Sequence, residues 1–140
     1  MEIIVGLVPV SVEQTDEEIV MHFSNGAKAR WYHAQGCCED VHVEDVIGDW
    51  SDLYGHPILL AEERVNEISD DNDDSQTWTF YAFRNIGGSV DVRWHGSSNG
   101  YYSERVDFEF IPSFKEMKQK FLDGEFEKFR NEMDCKFKGL

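Results

Sequence analysis

Basic residues are scarce in this chain: 13 Lys and Arg stand against 28 Asp and Glu in 140 residues, for a formal charge of -15. Only six bases precede Ser113: Lys28, Arg30, Arg64, Arg84, Arg93 and Arg105. Direct binding of bare nucleic acid is therefore not expected, because phosphate contacts need a basic surface. Cysteine is rare as well, and its odd count of three argues against a disulfide framework and for a reducing compartment. No stretch approaches the ~18 consecutive apolar residues of a membrane helix. Met1-Glu2-Ile3-Ile4-Val5 lacks the basic opening of a signal peptide. A soluble, cytoplasmic protein without a membrane partner is expected. Neither of the glycine-rich spellings that cradle phosphates, G-x-x-x-x-G-K-[ST] or G-x-G-x-x-G, occurs.

What the chain does have is an apolar load. Hydrophobic residues make up 41% and aromatics 14%, with 10 Phe, 5 Tyr and 4 Trp, which is enough for a core and too much for intrinsic disorder. The length suits one domain over residues 1–140, with no internal repeat and no linker. The negative charge is concentrated: between Cys37 and Ser75 there are 13 acids and one base, Arg64. That segment holds 12 of the 15 excess charges, whereas Ser113–Leu140 is close to neutral.

Periodicity predicts strands through most of the chain. Ile3–Val12 is apolar and β-branched and reads as a strand that is bent or at an edge, because Pro9 cannot donate to a ladder. Asn25-Gly26 predicts a hairpin between Glu18–Ser24 and Ala27–Gln35. On its two arms Ile19, Met21 and Phe23, then Ala29, Trp31 and His33, alternate with polar neighbours. Val41–Ile47 alternates loosely, and Asp49 to Gly55 reads as a capped helical turn. Pro57–Ile68, Thr77–Asn85, Ser89–His95 and Tyr101–Ile111 read as strands, with turns at Gly87-Gly88 and Gly96–Gly100. Phe80, Trp94, Phe108 and Phe110 are expected in the core. After Pro112 the period changes to 3.6, which predicts C-terminal helices over 113–138. The expected fold is α+β: an antiparallel β-sheet of about six to seven strands with C-terminal helices packed on it.

Several constellations could carry chemistry. Asp70-Asp71-Asn72-Asp73-Asp74 resembles the start of a calcium loop, but Ser75 stands where the sixth-position Gly belongs and Tyr81 where the closing Glu belongs. His33, Cys37, Cys38 and His42 are soft-metal ligands, yet adjacent cysteines on extended chain point apart. No metal and no cofactor is expected. His42, His56 and His95 could serve a cysteine nucleophile, but no local motif supports catalysis, so no catalytic residue is assigned. Arg93, Trp94, Asn99, Tyr101, Tyr102 and Arg105 flank a Gly-rich turn. These residue types can stack on and hydrogen-bond a planar ligand such as a nucleotide signal.

Cys37-Cys38-Glu39-Asp40, Val46-Ile47-Gly48-Asp49, Thr77-Trp78-Thr79-Phe80-Tyr81 and Arg93-Trp94-x-Gly96-x-Ser98-Asn99-Gly100-Tyr101-Tyr102-Ser103 carry a resemblance. Over roughly residues 17–108 the chain resembles a family of small uncharacterised bacteriophage- and prophage-encoded proteins, a domain of unknown function. The resemblance implies a phage setting and assigns no residue a role.

The functional expectation is a non-enzymatic binding protein that inhibits or redirects a host protein, in counter-defence or host takeover. Glu39, Asp40, Glu44, Asp45, Asp49 and Asp52 would meet a basic surface on that partner, as a nucleic-acid-like array of charge. The alternatives are a ligand-sequestering module using the Arg93–Arg105 region, and a small hydrolase using His, Cys or Asp. Self-association is compatible with either binding reading.

Overall fold

A computed structural model describes residues 1–36, 38–69, 75–99 and 103–113. Eight strands are present: β1 (Pro9–Gln14), β2 (Glu18–Phe23), β3 (Lys28–Tyr32), β4 (Glu39–Ile47), β5 (Leu60–Ser69), β6 (Ser75–Asn85), β7 (Gly88–Ser98) and β8 (Asp107–Ile111). They form two antiparallel sheets of four, ordered β1-β2-β3-β8 and β4-β7-β6-β5. The second has a Greek-key order, in which hairpin-connected β5, β6 and β7 are joined by β4 lying beside β7.

This corrects the α+β expectation. The described residues form a two-sheet, all-β sandwich whose only helical pieces are 3-10 turns at Glu2–Ile4 and Trp50–Leu53. The predicted helices over 113–138 lie, but for Ser113, outside the described residues. A single sheet fails because the chain crosses between layers twice, after β3 and after β7. Periodicity shows which positions are buried but not which layer buries them.

The local predictions fare better. Asn25-Gly26 turns β2 into β3, with Gly26 at a φ of 89° and Asn25 Oδ1 accepting from the Ala27 N–H. Ile19, Met21, Phe23, Ala29 and Trp31 are all buried. β1 is an edge strand whose pairing with β2 slips between Pro9 and Ser11, but it begins only at Pro9, since Ile3 and Ile4 of the predicted strand lie in a 3-10 turn. Asp49 caps the turn at Trp50–Leu53 by accepting from the Ser51 N–H.

The core lies between the sheets. Trp31 of the first sheet meets Phe83 and Tyr81 of the second, with ring centroids 5.2 and 6.2 Å apart. Val41, Val90, Val92 and Trp94 complete the inner surface of the second sheet. Phe108 and Phe110, expected there too, are half-buried against the same cluster. Ile4, Leu53 and Ile58, from the N-terminal turn and the β4–β5 connection, are fully buried.

Gly96 was expected in a turn, but it sits inside β7, opposite Val41 and Thr77. The physical reason is crowding. A Cβ at Gly96 would lie 2.8 Å from the Glu104 carbonyl oxygen, so only glycine lets the return crossing pack down on the sheet.

Candidate functional site

The outward face of the second sheet is organised in cross-strand rows, since paired residues on neighbouring strands share a face. One row runs His42, His95, Trp78, Asn66, and the next runs Asp45, Arg93, Phe80, Arg64. The His95 ring lies 4.4 Å from that of Trp78 and 5.9 Å from that of His42. The Arg93 guanidinium sits 5.2 Å from the Trp78 ring centroid, within cation–π range.

His42 is gripped on both nitrogens, with Nδ1 3.2 Å from Asp40 and Nε2 3.0 Å from Glu44. Desolvation opposes its charged form, but the two carboxylates outweigh that and hold its pKa above the ordinary imidazole value. Across the strand, His95 Nε2 lies 3.3 Å from Gln76 Oε1. A bulge shapes this corner: Val43 pairs with Trp94 and Asp45 with Arg93, so Glu44 is an extra residue. Extra residues of this kind re-aim side chains, and here consecutive Glu44 and Asp45 are both exposed.

Phe80 was expected in the core. It is instead 37% exposed, because β6 buries Thr77, Thr79, Tyr81 and Phe83 and turns the even positions outward. The strand is aromatic on both faces, so composition could not choose the phase. Arg64 and Arg93 flank Phe80 across the sheet, over a shallow concavity of ≈ 600 Å³ that Arg84 and Asp91 also line.

Of the acids expected to meet a partner, Asp40, Glu44 and Asp45 are exposed along β4, an edge strand. Asp49 and Asp52 are exposed at the 3-10 turn that follows. The β1–β2 turn adds exposed Asp16 and Glu17, placed against β4 by the Val43 N–H donating to the Asp16 carbonyl.

Glu39 does not belong to this rim. It shares the inward phase of Val41, its side chain is 5% exposed, and its Oε1 is 3.2 Å from His33 Nε2. Its carboxylate also accepts from the Gly36 N–H. That contact first, and His33 after it, hold its pKa below the ordinary carboxylate value.

Among the described residues, Arg93 and Trp94 of the alternative ligand set are not brought together either. Trp94 is fully buried and faces opposite to Arg93, as neighbours on a strand must. Arg105 contributes its carbonyl to His33 Nδ1 at 2.7 Å. Asn99 follows the end of β7, and Tyr101 and Tyr102 lie outside the described residues. The His33, Cys37, Cys38, His42 set is divided too: His33 is buried inside and His42 faces out. Cys38 is exposed, and Cys37 lies outside the described residues, as does Asp70–Asp74.

A polar cluster inside the sandwich was not anticipated. Glu104 is 7% exposed and accepts from the hydroxyls of Thr77 at 2.7 Å and Ser75 at 3.1 Å, and from that of Ser98. Tyr81 Oη donates to Glu63 at 2.8 Å, and burial first, then that carboxylate, pushes the phenol pKa up. These contacts satisfy buried polar groups.

These features define an antiparallel β-sandwich with a histidine- and tryptophan-bearing outer face and an acidic rim. The chain belongs to the DUF7448 family, a domain of unknown function, whose profile matches residues 2–108. No curated protein and no solved structure matches it. Among the described residues no helix is long and apolar enough to cross a membrane.

Proposed function

We propose that this is a non-enzymatic binding protein whose acidic rim engages a basic surface on a partner protein. The observation that carries the reading is the convergence of Asp16 and Glu17 with Asp40, Glu44 and Asp45 at one sheet edge. Among the described residues these acids meet two basic side chains, Arg93 3.8 Å from Asp45 and His42 beside Asp40 and Glu44, while Asp16 and Glu17 have no ion-pair partner. Exposed charges of one sign, set on a rigid sheet, steer association and select an oppositely charged partner. In the phage setting that the resemblance implies, the partner is a host protein and the outcome is its inhibition or redirection.

The test is quantitative capture from bacterial lysate by the wild-type chain and by a variant with Asp16, Glu17, Asp45 and Asp52 changed to Lys. Glu44 stays intact because it belongs to the histidine cluster. A stoichiometric protein lost on charge reversal and eluted by moderate salt is the expected result. Equal capture by both chains would reduce the rim to a solubility feature.

A second reading is favoured by the Arg64, Phe80, Arg93 row. A half-exposed ring with an arginine paired to it on each neighbouring strand can stack a planar anionic ligand of the nucleotide class. Nucleotide co-purifying with wild type but not with a Phe80→Ala, Arg64→Ala variant would support it over the protein-binding reading.

A further inference from the structure

The outward pair His42 and His95 has a third neighbour in Glu44. One ligand atom from each residue lies within 4.8 Å of the other two. We propose that His42, Glu44 and His95 bind a divalent transition-metal ion of the zinc type.

Two imidazoles and a carboxylate are borderline donors that suit zinc and its neighbours rather than calcium or magnesium, which take oxygen alone. Zinc bonds of about 2.0–2.2 Å put tetrahedral ligand atoms roughly 3.3 Å apart. His42 Nε2 and Glu44 already stand at 3.0 Å. His95 needs only a side-chain adjustment, which a half-buried residue on a sheet surface can make.

The surroundings match what a metal-bound histidine requires. Such an imidazole donates its second N–H to a carboxylate or carbonyl, which fixes tautomer and ring orientation. Asp40 stands 3.2 Å from His42 Nδ1, and Gln76 Oε1 stands 3.3 Å from His95 Nε2. The backbone brings the three ligands together by two devices: the direct pairing of His42 with His95, and the bulge at Glu44. The chain's charge of -15 raises the local concentration of cations. Three protein ligands leave a fourth position for water or for a partner's side chain.

The proposal is independent of the acidic-rim reading, because the isolated full chain should bind the ion without any partner. The experiment is a zinc titration of the chelator-stripped chain, followed by calorimetry and by the imidazole resonances. One zinc per chain is expected, shifting the resonances of His42 and His95 and leaving those of His22, His33 and His56 in place. Asp40→Asn should weaken binding about tenfold to a hundredfold, and His42→Ala, His95→Ala and Glu44→Gln, which remove ligands, should each weaken it more. Circular dichroism checks that the variants fold, and the resonance pattern needs no variant. Absence of binding at millimolar zinc would overturn the proposal. So would binding that survives all three substitutions, or that vanishes in a Cys37→Ser, Cys38→Ser variant while His42 and His95 stay unshifted.

Discussion

The two outward faces of the sandwich are built from similar side chains and use them differently. On the first sheet Arg30 is a hub: its Nε lies 2.6 Å from Glu18, its Nη1 3.6 Å from Glu109, and its guanidinium 3.8 Å from the Tyr32 ring centroid. His22 reaches Glu13 at 3.4 Å. Every base there but Lys28 meets an acid on a neighbouring strand or on its own. On the second sheet Arg84 pairs with Asp91 at 2.8 Å and Arg93 lies between Asp45 and the Trp78 ring, but Arg64 has no ion-pair partner among the described residues, and two histidines stand side by side. A face that neutralises itself has nothing left for a ligand. The unpaired Arg64, the half-exposed Phe80 ring and the adjacent His42 and His95 do, and so the second sheet carries both the candidate site and the proposed metal.

The largest expected effect tests whether the two sheets differ only on the outside. Trp31 and Trp94 are the large inward anchors of the two sheets, both at most 1% exposed. Trp31→Ala and Trp94→Ala should each cost about 3–5 kcal/mol, measured by denaturant titration. Unequal costs would mean that the sheets contribute differently to the core as well. Phe80→Ala, on the outer face of the strand next to Trp94, should cost about 1 kcal/mol or less. A larger loss would make Phe80 a structural residue and remove the ligand reading.

The strands themselves were legible wherever alternation was strict. Ile19 to Phe23 and Val90 to Trp94 show their buried phase because polar residues stand between the apolar ones. Phe80 was not legible, since Thr77 to Phe83 offers aromatic residues in both phases and burial is decided by the opposite sheet. The two crossings were hidden for a related reason: Gly96 reads as a turn glycine until Glu104 is seen lying over it. At the site, His42 and Glu44 share a face by strand spacing alone. Their meeting with His95 depends on the β4–β7 register, which links residues more than fifty positions apart. The acidity of the rim could be read from composition, whereas the inward turn of Glu39 follows from the same alternation that buries Val41.

A smaller effect separates the charge-compensated face from the open one. Arg30→Ala should destabilise the fold by up to about 1 kcal/mol, the range for exposed ion pairs. The loss should shrink in high salt as the Debye length falls from ~8 Å at 0.15 M to ~3 Å at 1 M. Hydrogen bonding to Glu18 first, and the nearby charges after it, raise the Arg30 pKa, so the guanidinium stays charged through any practical pH range. Arg64→Ala, with no ion pair to lose, should leave stability unchanged at both salt concentrations. Equal losses for the two would erase the distinction between the faces.

The smallest effect is the most local. His42 faces two carboxylates, and only its imidazolium can donate to both Asp40 and Glu44. Its folded pKa is therefore raised above the unfolded value of about 6.5. A group shifted in that direction adds stability that is fully present below the unfolded pKa and is lost as pH rises through the folded one. In the metal-free chain the His42 imidazole resonances should titrate with a midpoint above 6.5. Glu44→Gln should lower that midpoint by removing one of the two acceptor charges, with Asp40→Asn acting in the same direction. Added zinc should abolish the titration at neutral pH, because the ion takes the lone pair that the proton would occupy. A midpoint unchanged by either substitution would mean that the carboxylates turn away to solvent, and the histidine corner would then be as self-contained as the face built around Arg30.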